Sequence, residues 1–330
     1  MKLRIVVDAM GSDHCPSPDV AGAVLAAREY GDTILLVGEE SQVRPEIDKH
    51  DIRGLSLEIV HARDVIKMMD KPSQVGKEKP ESSMYIGMRL VQDGLADAFV
   101  TAGNTGAALS IATLYALRRI PGVRRPALTG IIRTGDVALT LLDVGANADS
   151  KPDWIAQFAL MGEIYARLSL KIQRPRVGLL SNGEEEGKGN ELVRTAAELV
   201  RALPINFVGN VEPKDLLSGG ADVVVTDGFV GNITLKTLEA ATRTMGDLIR
   251  AEITRSPLTA LGGILARPAF RRVYKQVDPF EIGGAPLLGI NGVVIIGHGR
   301  SNQIAIKNAV GQARKAVLGK VVDAIASGLR

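Results

Sequence analysis

The chain has 330 residues, 36 of them glycine, about 11% against a usual ~7%, with one cysteine and 40 basic against 37 acidic residues. Its length allows two packed domains or one large α/β unit, and 45% hydrophobic with 23% charged residues excludes wholesale disorder, collagen and coiled coil. A net charge of +3 and 4% aromatics exclude a field or stacking platform for nucleic acid, and Cys15 with four histidines offers neither an intrachain disulfide nor zinc-ligand spacing.

From the N-terminus, Met1 to Asp8 reaches an acid after three consecutive apolar residues, so no signal peptide is read, and no apolar run approaches the ~20 residues of a membrane span. The expectation is a cytoplasmic protein that is soluble or lies on a membrane surface. Leu3 to Val7 is a first strand, leading into Gly11 and a helix from about Ser17 to Tyr30. Thr33 to Val37 and Leu57 to Val60 are the next strands, and Arg63 to Pro80 reads as a polar loop. A helix around Ser82 to Gln92 precedes the strand Ala98 to Thr101, which runs into Gly103-Asn104-Thr105-Gly106 and another helix. Leu128 to Arg133 and Val137 to Leu142 flank Thr134-Gly135-Asp136 as a hairpin. Val177 to Leu180, Asn206 to Val208 and Val223 to Thr226 resume the strand–helix rhythm. Pro286 to Leu288 and Val293 to Ile296 precede a C-terminal helix from about Asn302. This is an α/β pattern: a Rossmann-like, mostly parallel sheet with helices on both faces. No repeat or biased linker marks a boundary, so residues 1–330 read as one unit, with a helical hairpin around 235–275 protruding.

Four strand ends carry glycines with small polar or charged residues just before a helix: Asp8 to His14, Thr101 to Ala107, Ser181 to Asn190 and Asp227 to Asn232. In an open parallel sheet such loops line one edge, where glycine lets the backbone approach a ligand and helix-start N–H groups attract anions. A phosphate-bearing substrate fits. Each loop alone is equally a strand–helix connection needing glycine and an N-cap. No G-x-G-x-x-G follows the first strand, and no P-loop motif occurs.

Read together, these segments resemble the phosphate acyltransferase family of bacterial phospholipid synthesis. The matching stretches are Asp8-Ala9-Met10-Gly11, Ala102-Gly103-Asn104-Thr105-Gly106, Leu142-Asp143-Val144-Gly145-Ala146-Asn147, Asn182-Gly183-Glu184-Glu185 with Lys188-Gly189-Asn190-Glu191, Asp227-Gly228-Phe229-Val230-Gly231-Asn232 with Leu235-Lys236-Thr237, and Gly284 to Gly289 with His298-Gly299. Departures are Ser12 where the family usually has a second glycine, Cys15 where alanine is common, and Ala240 where glycine is frequent. The resemblance implies transfer of a fatty acyl group from acyl-acyl carrier protein to inorganic phosphate, without a cofactor or a metal. It also implies two α/β lobes similar to phosphotransacetylases and isocitrate or isopropylmalate dehydrogenases, a homodimer, and peripheral association with the inner face of the cell membrane.

Phosphate is already an anionic nucleophile and a thioester an activated donor, so such an enzyme has to hold the anion, orient it and stabilise the developing oxyanion. Lys188, between Gly187 and Gly189, is the first candidate for that charge; Asn232 is a candidate oxyanion donor, or simply an N-cap. His298 is a candidate to protonate the leaving thiolate, or a structural histidine, and His14 beside Asp13 is a weaker candidate of the same kind. Asn104 and Thr105, with Gly11, Gly103, Gly106 and, on the resemblance, Asn147, are the candidate phosphate-binding set, while Asp8 and Asp227 end strands at the expected cleft.

Ser256 to Phe270 reads as an apolar tip of Leu258, Leu261, Ile264, Leu265 and Phe270 with Arg255, Arg267, Arg271, Arg272 and Lys275 around it, either an interfacial segment or a packed hairpin. Arg118, Arg119, Arg124 and Arg125 form a compact cluster suited to an acidic partner such as acyl carrier protein. The rival readings are a nicotinamide-dependent dehydrogenase of the isocitrate type, for which clustered metal-binding acids and a Tyr/Lys pair are not visible, and a non-catalytic membrane-surface scaffold.

Overall fold

The computed structural model describes residues 1–135 and 137–329, and at positions 134, 137, 275, 277 and 279 the backbone. Eleven strands form one sheet: β1 (Arg4–Asp8), β2 (Thr33–Gly38), β3 (Ser56–His61), β4 (Ala98–Thr101), β5 (Ala127–Thr134), β6 (Val137–Leu142), β7 (Arg176–Leu180), β8 (Asn206–Val211), β9 (Val223–Val225), β10 (Ala285–Leu288) and β11 (Val293–Ile296). Their order is β3-β2-β1-β4-β11-β10-β5-β6-β9-β7-β8. β1 alternates between two cores, Ile5 and Val7 in one and Val6 in the other, because successive side chains point to opposite faces. The helices Ser17–Tyr30, Pro152–Ser169 and Gln303–Leu318 cover the first core and Ser83–Gln92 the second. Burial on both faces explains the continuous apolar strands, β2 being buried at all six positions.

The sheet contains two parallel sets. β3, β2, β1, β4 and β11 run one way; β10 is antiparallel to β11 and to β5, β5 is antiparallel to β6, and β6, β9, β7 and β8 then run together. The two sets therefore run in opposite directions, and their strand-end loops do not share the single edge expected of one parallel sheet. β5 and β6 form the expected antiparallel hairpin, with Thr134 opposite Val137; Asp136 of that turn lies outside the described residues.

Two polar stretches are helical. Glu40–Ile47 buries only Val43 and Ile47, one turn apart, and Pro72–Glu78 lies within the expected loop 63–80. Residues 228–277 form two long helices, Gly228–Ile253 and Pro257–Val277, the second opened by a capping box at Ser256 and Thr259. They cross closely at Gly263, where an added Cβ would lie 2.2 Å from Ile253 Cγ2. No helix among the described residues is long and apolar enough to cross a membrane.

Candidate active site

At the end of β1, the buried Asp8 carboxyl accepts from Met10 N at 3.1 Å and from Thr101 Oγ1, at the end of β4, at 2.8 Å. Thr101 Oγ1 accepts in turn from Gly103 N at 2.9 Å. Gly11 is pressed into this network; an added Cβ would stand 2.9 Å from Thr101 Oγ1 and 3.0 Å from Gly103 N, so only glycine fits between the two loops. Burial pushes the Asp8 and Asp19 carboxyls above the usual carboxylate range. Cys15 is pushed up to about 11, by burial first and then by the charges of Asp19 and Asp8, which makes it an inert thiol.

Asp13 N donates to Gly299 O at 2.7 Å, tying this loop to the segment after β11. His14 is exposed and makes no hydrogen bond among the described residues. Asn104 has its side chain fully engaged: Oδ1 caps the helix Thr105–Ser110 by accepting from Ala107 N, and Nδ2 faces the carbonyls of Lys67, Met68 and Asp70 at 3.0 to 3.4 Å. It clamps segment 67–70 against the loop. Thr105 is exposed and Gly106 packs on Pro72.

In the other half of the sheet, Asp143 organises the site. Its buried carboxyl accepts from the backbone N–H groups of Leu128, Gly145 and Ala146 on Oδ1 and from the N and Nδ2 of Asn147 on Oδ2, at 2.7 to 3.1 Å. Burial raises this carboxyl while the five donors pull back against it. Asn147 Nδ2 also donates to Pro126 O, and Asn147 O accepts from Gly228 N at 2.8 Å. The start of the helix Gly228–Ile253 is thereby seated on this loop, so closely that a Cβ on Gly231 would meet Asp143 O at 1.9 Å. Asp227 is the N-cap, its Oδ1 accepting from Phe229 N and Val230 N, so the helix-start amides are held within the chain rather than left free for an anion. Asn232 Nδ2 lies over Gly145, 2.6 Å from where a Cβ there would be, and its amide makes no hydrogen bond among the described residues.

Lys188 stands in the loop after β7, beside β9. Two of the three acids preceding it are taken elsewhere, Glu184 by Lys214 at 2.8 Å and Glu186 by Arg201, and the exposed Lys188 side chain has no hydrogen-bond or ion-pair partner among the described residues. No hydrogen bond joins it to Asn232 or His298 among the described residues. His298, after β11, does reach the other set: its Nε2 lies 3.4 Å from Oε1 of Glu239 on the helix Gly228–Ile253. That contact pulls the Glu239 carboxyl below its usual range. Asn232 precedes Glu239 by seven residues, two turns, which puts the two on one helix face about 10 Å apart.

The fold places the chain in a class of α/β proteins that includes phosphotransacetylases. It superposes on a phosphotransacetylase from Streptococcus pyogenes with a TM-score of 0.64 at 17% identity, over 98% of this chain and 94% of that one. A branched-chain phosphotransacylase from Enterococcus faecalis V583 superposes with a TM-score of 0.61 at 14% identity, covering 96% and 99%. Within that class the chain belongs to the phosphate acyltransferase family: residues 3–323 match the family described as fatty acid synthesis protein, and curated relatives carry the name phosphate acyltransferase. That of Geobacter sp. (strain M21) is 47% identical over 308 residues, 93% of this chain and 87% of its own, and that of Syntrophotalea carbinolica 44% identical over 328 residues, 99% and 94%. The protein is an acyltransferase of fatty acid and lipid synthesis, and neither the dehydrogenase nor the scaffold reading is favoured.

The sequence motifs contained Asp143 but not Glu239, and nothing in the spacing marked either as an organiser of the loops. An Asp followed by Val-Gly-Ala-Asn after an apolar strand is the signal that finds the first; Glu239 has no comparable local signal.

Proposed function

We propose that the protein transfers a fatty acyl group from acyl-acyl carrier protein to inorganic phosphate. A phosphate oxygen attacks the thioester carbonyl, the C–S bond breaks, and acyl phosphate leaves together with the carrier thiol, which takes up a proton. The observation that carries this reading is the 3.4 Å contact of His298 with Glu239, which sets the imidazole about two helical turns from the free Asn232 amide. Asn232 donates to the oxyanion, His298 supplies the thiol proton, and Lys188 meets the phosphate or the developing charge. Phosphate is received by the loops at Gly11, Gly103, Thr105 and Gly106, where the N–H groups of Gly11, Thr105 and Gly106 have no acceptor among the described residues. Asp8, Asn104, Asn147 and Asp227 hold these loops in shape. His14 lies on the same loop, exposed to an incoming anion.

The two parallel sets act as two lobes of one unit in this reading, with the paired helices projecting from it. Leu258, Leu261 and Leu265 follow one another at helical spacing, and Leu258 and Leu265 are 80% and 77% exposed. Together with Ile264, Phe270 and the exposed Arg267, Arg271 and Arg272, they suit an anionic lipid surface, so the protein works at the inner face of the membrane. Met245, Leu248 and Ile249 on the first long helix give a second copy an apolar face, making a homodimer. Arg118, Arg119, Arg124 and Arg125 precede Pro126, which Asn147 holds, and supply a basic landing surface for the acidic carrier.

The test is to incubate the protein with acyl-acyl carrier protein and phosphate and assay acyl phosphate. Phosphate-dependent release of the carrier thiol is expected; its absence overturns the proposal.

A further inference from the structure

A buried acid behind the Gly11 loop is unused by the reaction as drawn. Asp19 lies in the first turn of the helix Ser17–Tyr30, its side chain is inaccessible to solvent, and its Oδ1 has no hydrogen-bond partner among the described residues. Keeping a carboxyl there is costly, and a stable helix would be served as well by an apolar residue. Its other oxygen explains the cost: Oδ2 accepts from the hydroxyl of Ser12, also buried, at 2.5 Å. On the near side of the same turn, Asp8 accepts from Met10 N. Residues 10–12 are thus gripped between two carboxyl groups while Gly11 is pressed against Thr101 and Gly103, leaving the N–H of Gly11 without an acceptor among the described residues.

We infer that Asp19 is a positioning residue for the phosphate acceptor: by holding Ser12 it fixes the turn at residues 10–12 so that the Gly11 N–H faces the anion. The inference rests on the reading that this loop receives phosphate. A carboxylate behind a phosphate would repel it, and burial, reinforced by the charge of Asp8, favours the neutral acid at Asp19. A neutral carboxyl or a carboxamide grips Ser12 equally well, whereas an alanine does not.

The test measures kcat and KM for inorganic phosphate, and KM for the acyl donor, in wild type, Asp19→Ala, Asp19→Asn, Ser12→Ala and the Ser12→Ala/Asp19→Ala double variant. Asp19→Ala is expected to raise KM for phosphate about tenfold or more, with KM for the acyl donor within about twofold of wild type. Asp19→Asn should recover most of the lost affinity, Ser12→Ala should match Asp19→Ala, and the double variant should be no worse than either single one, since both remove the same grip. An unchanged phosphate KM in Ser12→Ala, an additive double variant, or Asp19→Asn as impaired as Asp19→Ala overturns the assignment. If Asp19→Ala fails to fold, Asp19→Asn and Ser12→Ala still decide it. Wild-type turnover that does not saturate with phosphate overturns the reading of the site, and this inference with it; saturation in wild type with no change in the variants overturns the inference alone.

Discussion

His298 and Glu239 meet at 3.4 Å across the junction between two oppositely directed sets of strands. The histidine follows β11 of one set; the glutamate lies eleven residues into a helix rooted on the Asp143 loop of the other. Glu239 is held below its ordinary range chiefly by the hydrogen bond from His298. A carboxyl lowered in the fold adds stability that is present above its unfolded pKa of ~4.3 and is lost as pH falls through its folded value. Wild type should therefore exceed Glu239→Gln in stability at pH 5 to 6, and the gap should close as pH falls below the unfolded value. Urea melts across that range check it.

Lys188→Ala and Asn232→Ala should each reduce acyl phosphate formation ~10²-fold or more while leaving thermal unfolding close to wild type. Neither side chain is a hydrogen-bond partner of any described residue, so little stability is at stake. Turnover near wild type in either variant removes that residue from the mechanism.

Asp143→Ala should cost about 3 kcal/mol or more, because it strands the N–H groups of Leu128, Gly145, Ala146 and Asn147 away from their acceptor. Gly231→Ala should be comparably damaging, since its new Cβ meets the Asp143 carbonyl and must displace the helix start. Denaturant unfolding of both, alongside wild type, measures the loss.

Asp19 predicts a pH slope of the opposite sign to Glu239. Its folded pKa is raised, so between the unfolded value of ~3.9 and that raised value the native chain binds the extra proton and wild-type stability falls as pH rises. Asp19→Asn carries no such proton, and its stability relative to wild type should increase as pH rises above about 4. A difference that stays constant as pH rises contradicts the prediction.

Leu261→Glu, near the middle of the exposed Leu258, Leu261, Leu265 series, should sharply reduce co-sedimentation with anionic vesicles while leaving acyl transfer to phosphate intact. If it binds such vesicles as well as wild type, this segment is not the anchor.

The strands were legible because burial on both faces leaves runs such as Thr33 to Gly38 almost wholly apolar. The helices Glu40–Ile47 and Pro72–Glu78 were not, because each buries two residues and shows the periodicity signal almost no apolar face. Asn104 illustrates the limit at the site. Its place in a glycine loop suggests a ligand contact, but its amide is engaged by carbonyls at 67, 68 and 70, more than thirty residues back in the chain.

By itself the sequence determined the strand–helix rhythm, the glycine loops at strand ends and the family, because each rests on local residue order. The tertiary structure alone decided which loops face one another. The reversal at β10 and β5 depends on pairing Leu287 with Leu128, the first loop on Thr101 reaching Asp8 over 93 residues, and the junction on His298 finding Glu239. Such contacts form only when distant segments are brought together, and no local pattern records them.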